Sequence, residues 1–195
     1  MEKPSTPHPA LVAIGASAGG IEAVSQLLRA LPASFPLPVV VVLHLPPNRP
    51  SLLPELFSRH CALPVTEAQD KQPLRGGTVY VGPPDYHLML EPGGLLSLSC
   101  DPPLHFSRPS LDMLFESAAL AHKDGLLAIL LTGASADGAE GLATVRRLGG
   151  QAWVQDPEEA QASIMPVAAI RRAGADKVLR LAAMADLLPG LAGRA

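Results

Sequence analysis

Cysteine is nearly absent from this 195-residue sequence: Cys61 and Cys100 are the only two, and neither belongs to a CxxC pair or a Cys/His cluster. They could pair only once, which excludes a disulfide scaffold and a thiolate zinc site and fits a reduced, cytoplasmic setting. No HExxH or DxDxDG motif offers another metal site, so no metal and no cofactor is expected. Long apolar runs are also missing. Stretches such as Pro38 to Leu43 fall far short of the roughly 20 residues that cross a bilayer. The first ten residues, MEKPSTPHPA, are broken by proline and lack the apolar segment of a secretory signal. Charge of one sign is scarce as well: 15 basic and 18 acidic residues are scattered, giving a net charge of -3. Without a basic stripe, nucleic acid is not an expected partner.

Apolar residues, by contrast, make up 48% of the chain and charged residues 17%, which is ample material for a core. The length suits one domain, expected over residues 11–195 behind a flexible leader of residues 1–10. No repeat or low-complexity segment divides it, and the 21 prolines and 17 glycines are spread over turns.

LVAIG, Leu11 to Gly15, reads as a strand buried on both faces. From Gly20 to Leu31, Ile21, Val24, Leu27, Leu28 and Leu31 recur at helical spacing. The βα pattern repeats with a strand over Pro38 to Leu45, a proline-rich turn, a helix capped by Ser51 and a strand over Pro64 to Gln69. Between Gly76 and Cys100 the short runs TVYVG, HLMLE and LLSLS, with turn residues between them, predict hairpins. Alternation then resumes. A helix is expected over Ser110 to His122, a central strand over Leu126 to Gly133 and a helix over Gly138 to Arg147. A strand over Gln151 to Asp156, a helix near Pro166 to Arg172, a strand over Lys177 to Leu181 and a final helix follow. The fold class this implies is α/β, a doubly wound three-layer αβα arrangement with a mostly parallel sheet and a hairpin insertion.

In such a sheet functional groups gather beyond the carboxyl ends of the strands. Three strands end there in IGASAGG, LHLPPNR and LTGASADGAEG, which brings Ser17, His44 and Asp137 to one edge. Gly15 to Gly19 matches G-x-S-x-G, a tight turn that exposes a serine hydroxyl. Free N–H groups of Ala18 and Gly19, at the start of the following helix, could hold a developing oxyanion. The same glycine turn also opens nucleotide-binding folds, although the G-x-G-x-x-G spacing is missing and His44 stands where a ribose-binding acid is expected. His44 could accept the serine proton and Asp137 could orient the imidazole, while Asp137 could equally cap the helix that starts at Gly138. His87 and His105 are weaker candidates. The chain order Ser, His, Asp differs from that of α/β-hydrolases.

Together IGASAGGIEA, VVLHLPP, GGTVYVGPPDYHLML, SRPSLDMLF, LLTGASADGAEGL and VQDPEEAQASIMP closely resemble the catalytic domain of chemotaxis protein-glutamate methylesterases, in the family's order and across nearly the whole chain. The resemblance implies a serine hydrolase that demethylates glutamate methyl esters on chemoreceptor cytoplasmic helices, releases methanol and in many members also deamidates glutamines. It places the catalytic serine on Ser17, the histidine on His44 and the aspartate on Asp137. Arg108 and Met165 fall in family blocks beside the cleft, where a substrate-positioning role follows from the resemblance.

Two departures stand next to the site: Ala18 replaces a threonine common after the serine, and Ala134 replaces a methionine three residues before the aspartate. The family's preceding receiver domain has no counterpart in a ten-residue leader, so constitutive activity or control by a separate receiver-domain protein is expected. Two rival readings remain at this level: a nucleotide- or phosphate-binding module, and a catalytically silent docking protein of a chemosensory pathway.

Overall fold

A computed structural model describes residues 8–45 and 51–191 of the chain. Among the described residues, nine strands and six α-helices follow in order: β1 (Leu11–Ala16), α1 (Gly20–Ala30), β2 (Val39–Leu43), α2 (Leu53–Ser58), β3 (Val65–Glu67), β4 (Val79–Val81), β5 (His87–Glu91), β6 (Leu95–Ser99), α3 (Leu111–His122), β7 (Leu126–Leu130), α4 (Ala139–Arg147), β8 (Gln151–Gln155), α5 (Ile164–Ala173), β9 (Lys177–Leu179) and α6 (Leu181–Leu187). Seven strands form one parallel sheet in the order β3-β4-β2-β1-β7-β8-β9.

The layers follow from the period of two along each strand. In β1, Leu11 and Ala13 face one core while Val12, Ile14 and Ala16 face the other; in β2, Val40 and Val42 separate from Val39, Val41 and Leu43 in the same way. The first core is closed by Leu114 and Phe115 of α3, Leu142 of α4 and Met165 of α5. The second is closed by Val24, Leu27 and Leu28 of α1, Phe57 of α2 and Met184 of α6. Burial on both faces explains why β1, β2 and β7 are unbroken apolar runs rather than alternating ones.

Chain direction across the sheet reverses at β1. From β1 the chain moves outward through β2 toward β4 and β3, then returns to pair β7 on the other side of β1. That switch opens a crevice above the carboxyl ends of β2, β1 and β7.

Several expectations change in detail. TVYVG does not enter a hairpin: Val79–Val81 is a fully buried parallel strand between β2 and β3. Three residues are too few to reveal a period, and burial on both sheet faces decides the assignment. HLMLE and LLSLS do pair, as the β5–β6 hairpin with Gly93 and Gly94 both at positive φ in its turn. Ile21 lies outside the buried stripe of α1 and is 46% exposed. Within the expected leader, Pro9 is buried and the Ala10 N–H donates to the Gly125 carbonyl at 2.7 Å. Leader residues 1–7 and the proline-rich turn at 46–50 lie outside the described residues.

Candidate active site

β1 and β2 run in register with Ala16 opposite Leu43, and the N–H of His44 donates to the carbonyl of Ala16 at 3.2 Å. Ser17 and His44 are therefore the first residues past two adjacent strand ends, where strands lie about 4.8 Å apart. Ser17 is held from the other side: its N–H donates to the Thr132 carbonyl, beyond β7, at 2.9 Å. Both side chains line one cleft of about 420 Å³ together with Gly19, Gly20, Ile21, Glu22 and Gln161.

His44 Nε2 lies 2.7 Å from Asp137 Oδ2. With that nitrogen committed to the carboxylate, Nδ1 is the nitrogen left to act as a base. The Ser17 hydroxyl makes no hydrogen bond to the ring in this structure. A different hydroxyl, Ser107 Oγ, is 3.4 Å from Nδ1. Catalytic hydrogen bonds are commonly long or unformed before substrate binds.

Asp137 is fully buried, yet every direction around its carboxylate carries a donor. Oδ1 accepts from Ser110 Oγ at 2.9 Å and from the N–H of Asp112 at 3.1 Å; Oδ2 accepts from the N–H of Leu111 at 2.7 Å as well as from His44. It thus binds the free N–H groups at the start of α3, where the helix dipole favours an anion. The expectation that Asp137 caps its own following helix is corrected: Gly138, at φ 94, occupies the cap of α4 with no side-chain bond, and the carboxylate serves α3 instead. Burial works to raise the Asp137 pKa, but the hydrogen bonds from His44, Leu111, Asp112 and Ser110 outweigh it and hold it below the ordinary carboxylate value.

A second carboxylate stands beside the first. Asp112, in the first turn of α3, is buried and accepts the N–H of Gly141 at 2.7 Å, with His105 Nε2 3.3 Å from its other oxygen. Glycine at 141 permits this approach, since a Cβ there would lie 2.7 Å from the Phe115 Cβ. Burial first, then the neighbouring charge of Asp137, pushes Asp112 up from 3.8 to about 6. His105, Asp112 and Asp137 each bring a ligand-type atom within 4.8 Å of the others. The donors already filling Asp137 leave it little capacity for a cation, so this cluster reads as a network around the aspartate.

The turn after β1 is fixed by Gly19, at φ 77, where a Cβ would sit 2.5 Å from Gln161 Oε1. Among the described residues the N–H groups of Ala18 and Gly19 have no acceptor, while that of Gly20 is bonded to Ser17 O at 2.8 Å. Thr132 ties the turn down: its hydroxyl donates to Ala18 O at 2.8 Å and receives the N–H of Ala162 at 2.8 Å, and its own N–H donates to Gln155 Oε1 at 2.8 Å. Ala18 and Ala134 are both exposed on the crevice loops.

The remaining candidates divide. Arg108 borders a second cavity of about 490 Å³ that opens on His44, with its guanidinium bonded to the carbonyls of Cys100 and Asp101 at 3.0 and 3.2 Å. Met165 does not reach the cleft: it is fully buried, and its sulfur packs against Gly133. His87 is structural, accepting the N–H of Ser110 on Nδ1 at 3.1 Å and facing Pro102 O with Nε2 at 3.2 Å. Sequence reasoning missed Ser107, Ser110, Asp112, Thr132 and Gln161. Only Asp112 carried a signal, an acid inside the apolar helical run LDMLF.

Comparison with known proteins places the chain in one family. The family model described as CheB methylesterase matches residues 12–188. The chain is 40% identical over 176 residues to a Leptospira interrogans protein named "Putative protein-glutamate methylesterase/protein-glutamine glutaminase", covering 90% of this chain and 91% of that one. It is 43% identical over 173 residues to the "Protein-glutamate methylesterase/protein-glutamine glutaminase 1" of Saccharophagus degradans, covering 88% of this chain but 47% of the longer relative. The crystal structure of the Thermotoga maritima CheB methylesterase catalytic domain superposes with a TM-score of 0.86 at 32% identity, covering 94% of this chain and 97% of that one. The chain belongs to the CheB methylesterase family.

Proposed function

We propose that this protein is a serine hydrolase that removes methyl esters from glutamate side chains of chemoreceptor cytoplasmic helices, and deamidates receptor glutamines, with Ser17, His44 and Asp137 as its catalytic groups. Ser17 Oγ attacks the ester carbonyl while His44 Nδ1 takes its proton. The tetrahedral oxyanion is received by the N–H groups of Ala18 and Gly19, which have no other acceptor among the described residues. Collapse expels methoxide, which leaves as methanol with the proton from His44. Water, deprotonated by the same ring, then attacks the acyl-serine and releases glutamate; with a glutamine substrate the first leaving group is ammonia. Asp137 keeps the proton of the neutral ring on Nε2 and stabilises the imidazolium between steps. No step calls on a cofactor.

The observation that carries this reading is the His44–Asp137 contact at 2.7 Å, one strand away from Ser17. A nucleotide-binding turn has no use for a buried carboxylate behind a histidine. No described helix is long and apolar enough to cross a membrane, which fits action on receptor segments in the cytoplasm. A separate receiver-domain protein as regulator belongs to the same reading, and methanol release that is unchanged by candidate receiver proteins would remove that part.

The direct test is methanol release from methylated receptor membranes. Wild type should release methanol, and Ser17→Ala should lose at least about 10³-fold in rate, as removal of an activated nucleophile does. A Ser17→Ala protein with near wild-type release would overturn the assignment.

A further inference from the structure

Leu104 to Ser107 close a two-residue hairpin beside His44, with Leu104 N–H donating to Ser107 O at 3.1 Å and Ser107 N–H to Leu104 O at 2.8 Å. Its two central residues, His105 and Phe106, have φ of 48 and 62. Positive φ at both positions is the pattern of a type I′ turn, which favours Asn, Asp and Gly because other side chains crowd the backbone there. Neither residue is of that kind. His105 has an internal reason for its place, since its ring reaches Asp112. Phe106 has none: it is 104% exposed, so a phenyl ring is held wholly in water on an unfavourable backbone and adds nothing to either core.

Its location suggests what the ring is for. Phe106 borders the cavity of about 490 Å³ that opens on His44, and the next residue, Ser107, approaches the ring at Nδ1. The cleft holding Ser17 is bordered by Ile21, also exposed. Apolar side chains therefore stand along both cavities that meet at the imidazole. A polypeptide segment that presents an esterified side chain to Ser17 carries neighbouring side chains past the reacting residue, whereas a free amino-acid ester has none to set against Phe106.

We propose that Phe106 is a docking residue for the protein substrate, packing against an apolar side chain of the receptor segment that presents the esterified glutamate. The inference rests on the functional reading above. An exposed aromatic that becomes buried in a complex is the usual form of an energetic anchor.

Phe106→Asn removes the ring and keeps a residue that tolerates positive φ. Steady-state methanol release from methylated receptor membranes, set against hydrolysis of N-acetylglutamate γ-methyl ester, reads the effect. The ratio of the two kcat/KM values should fall about tenfold or more through a higher KM for receptor, Phe106→Leu should recover most of it, and the thermal midpoint of Phe106→Asn should not drop. An unchanged ratio overturns the proposal, as does a fall carried by kcat alone, which would mark the turn as positioning His44 through Ser107. A wild-type dimer that Phe106→Asn dissociates, with receptor KM unchanged, would assign the ring to a second copy of this chain. Failure of the underlying reading looks different: wild type would release no methanol from receptor membranes, or Ser17→Ala would match it, and the docking role would fall with it.

Discussion

The N–H of Leu111 and the imidazole of His44 meet on the same oxygen of Asp137, each at 2.7 Å. Leu111 begins α3, so one buried carboxylate completes both the start of a helix and the orientation of the histidine. Asp137→Asn offers an amide of the same shape whose NH₂ must face some of these donors. The expected result is a loss of about 10⁴-fold in kcat, the scale seen when a triad aspartate becomes asparagine, together with a destabilisation of about 1–3 kcal/mol. Asp137→Ala leaves the α3 N–H groups without an acceptor and should cost more, about 3–5 kcal/mol. Receptor kinetics and urea denaturation read the two effects; unchanged stability in both variants would show that α3 does not depend on this carboxylate.

Asp112 makes stability depend on pH in the opposite sense to Asp137. Its pKa in the fold is about 6 against an ordinary 3.8, so between those values the folded state holds a proton that the unfolded chain has lost. Stability from this group is greatest near the lower value and falls as pH rises through about 6. Asn at position 112 resembles the protonated acid and can still accept from Gly141. Asp112→Asn should therefore exceed wild type in thermal stability at pH 8, by on the order of 1–3 kcal/mol, and the two should converge near pH 4. A variant less stable than wild type at pH 8 would mean that the charged form is the one the fold requires.

Much of the frame around the candidate site could be read from the sequence because strand ends obey a simple rule. Buried runs ending at Ala16, Leu43 and Leu130 put the residues that follow on one crevice, and parallel pairing then sets Ser17 and His44 past adjacent strand ends. The partners of Asp137 were not legible. Ser110, Leu111 and Asp112 lie more than twenty residues earlier, on a helix whose approach depends on Gly138 and Gly141. Local propensity favoured the nearer helix as the one to be capped, and tertiary packing reversed it. Val79–Val81 escaped for a related reason, since a strand of three residues has no period and its place between β2 and β3 is set entirely by its neighbours.

Ser107 Oγ lies 3.4 Å from His44 Nδ1, while the Ser17 hydroxyl makes no hydrogen bond to the ring. That distance is the limit of a useful hydrogen bond, and Ser107 has no glycine turn and no free N–H pair at a helix start beside it. Ser107→Ala should leave kcat within about fivefold of wild type, because it removes one weak partner of the ring. Labelling by a fluorophosphonate probe should persist in Ser107→Ala and vanish in Ser17→Ala. The reverse pattern would transfer the nucleophile to Ser107.

Gly19 combines two constraints that no other residue type satisfies together. Its φ of 77 lies where a side chain is disfavoured, and the space a Cβ would enter is held by Gln161, whose Oε1 would be 2.5 Å away and whose Cβ 2.8 Å away. Gly19→Ala must shift the segment at Gln161, the Ser17 turn, or both. Positive φ alone costs about 1–2 kcal/mol, and displacement of Gln161 adds to it. Since the same turn sets the Ser17 hydroxyl and the N–H of Gly19, kcat should fall further than stability accounts for, by about 10²-fold or more, as loss of an oxyanion donor does. Trimming Gln161 separates the causes. In Gly19→Ala/Gln161→Gly, which also removes the Cβ that would otherwise stand 2.8 Å away, the steric part of the stability loss should return while the rate defect persists, because the backbone strain at Ser17 remains. Full recovery of rate in the double variant would instead place the defect in the Gln161 contact.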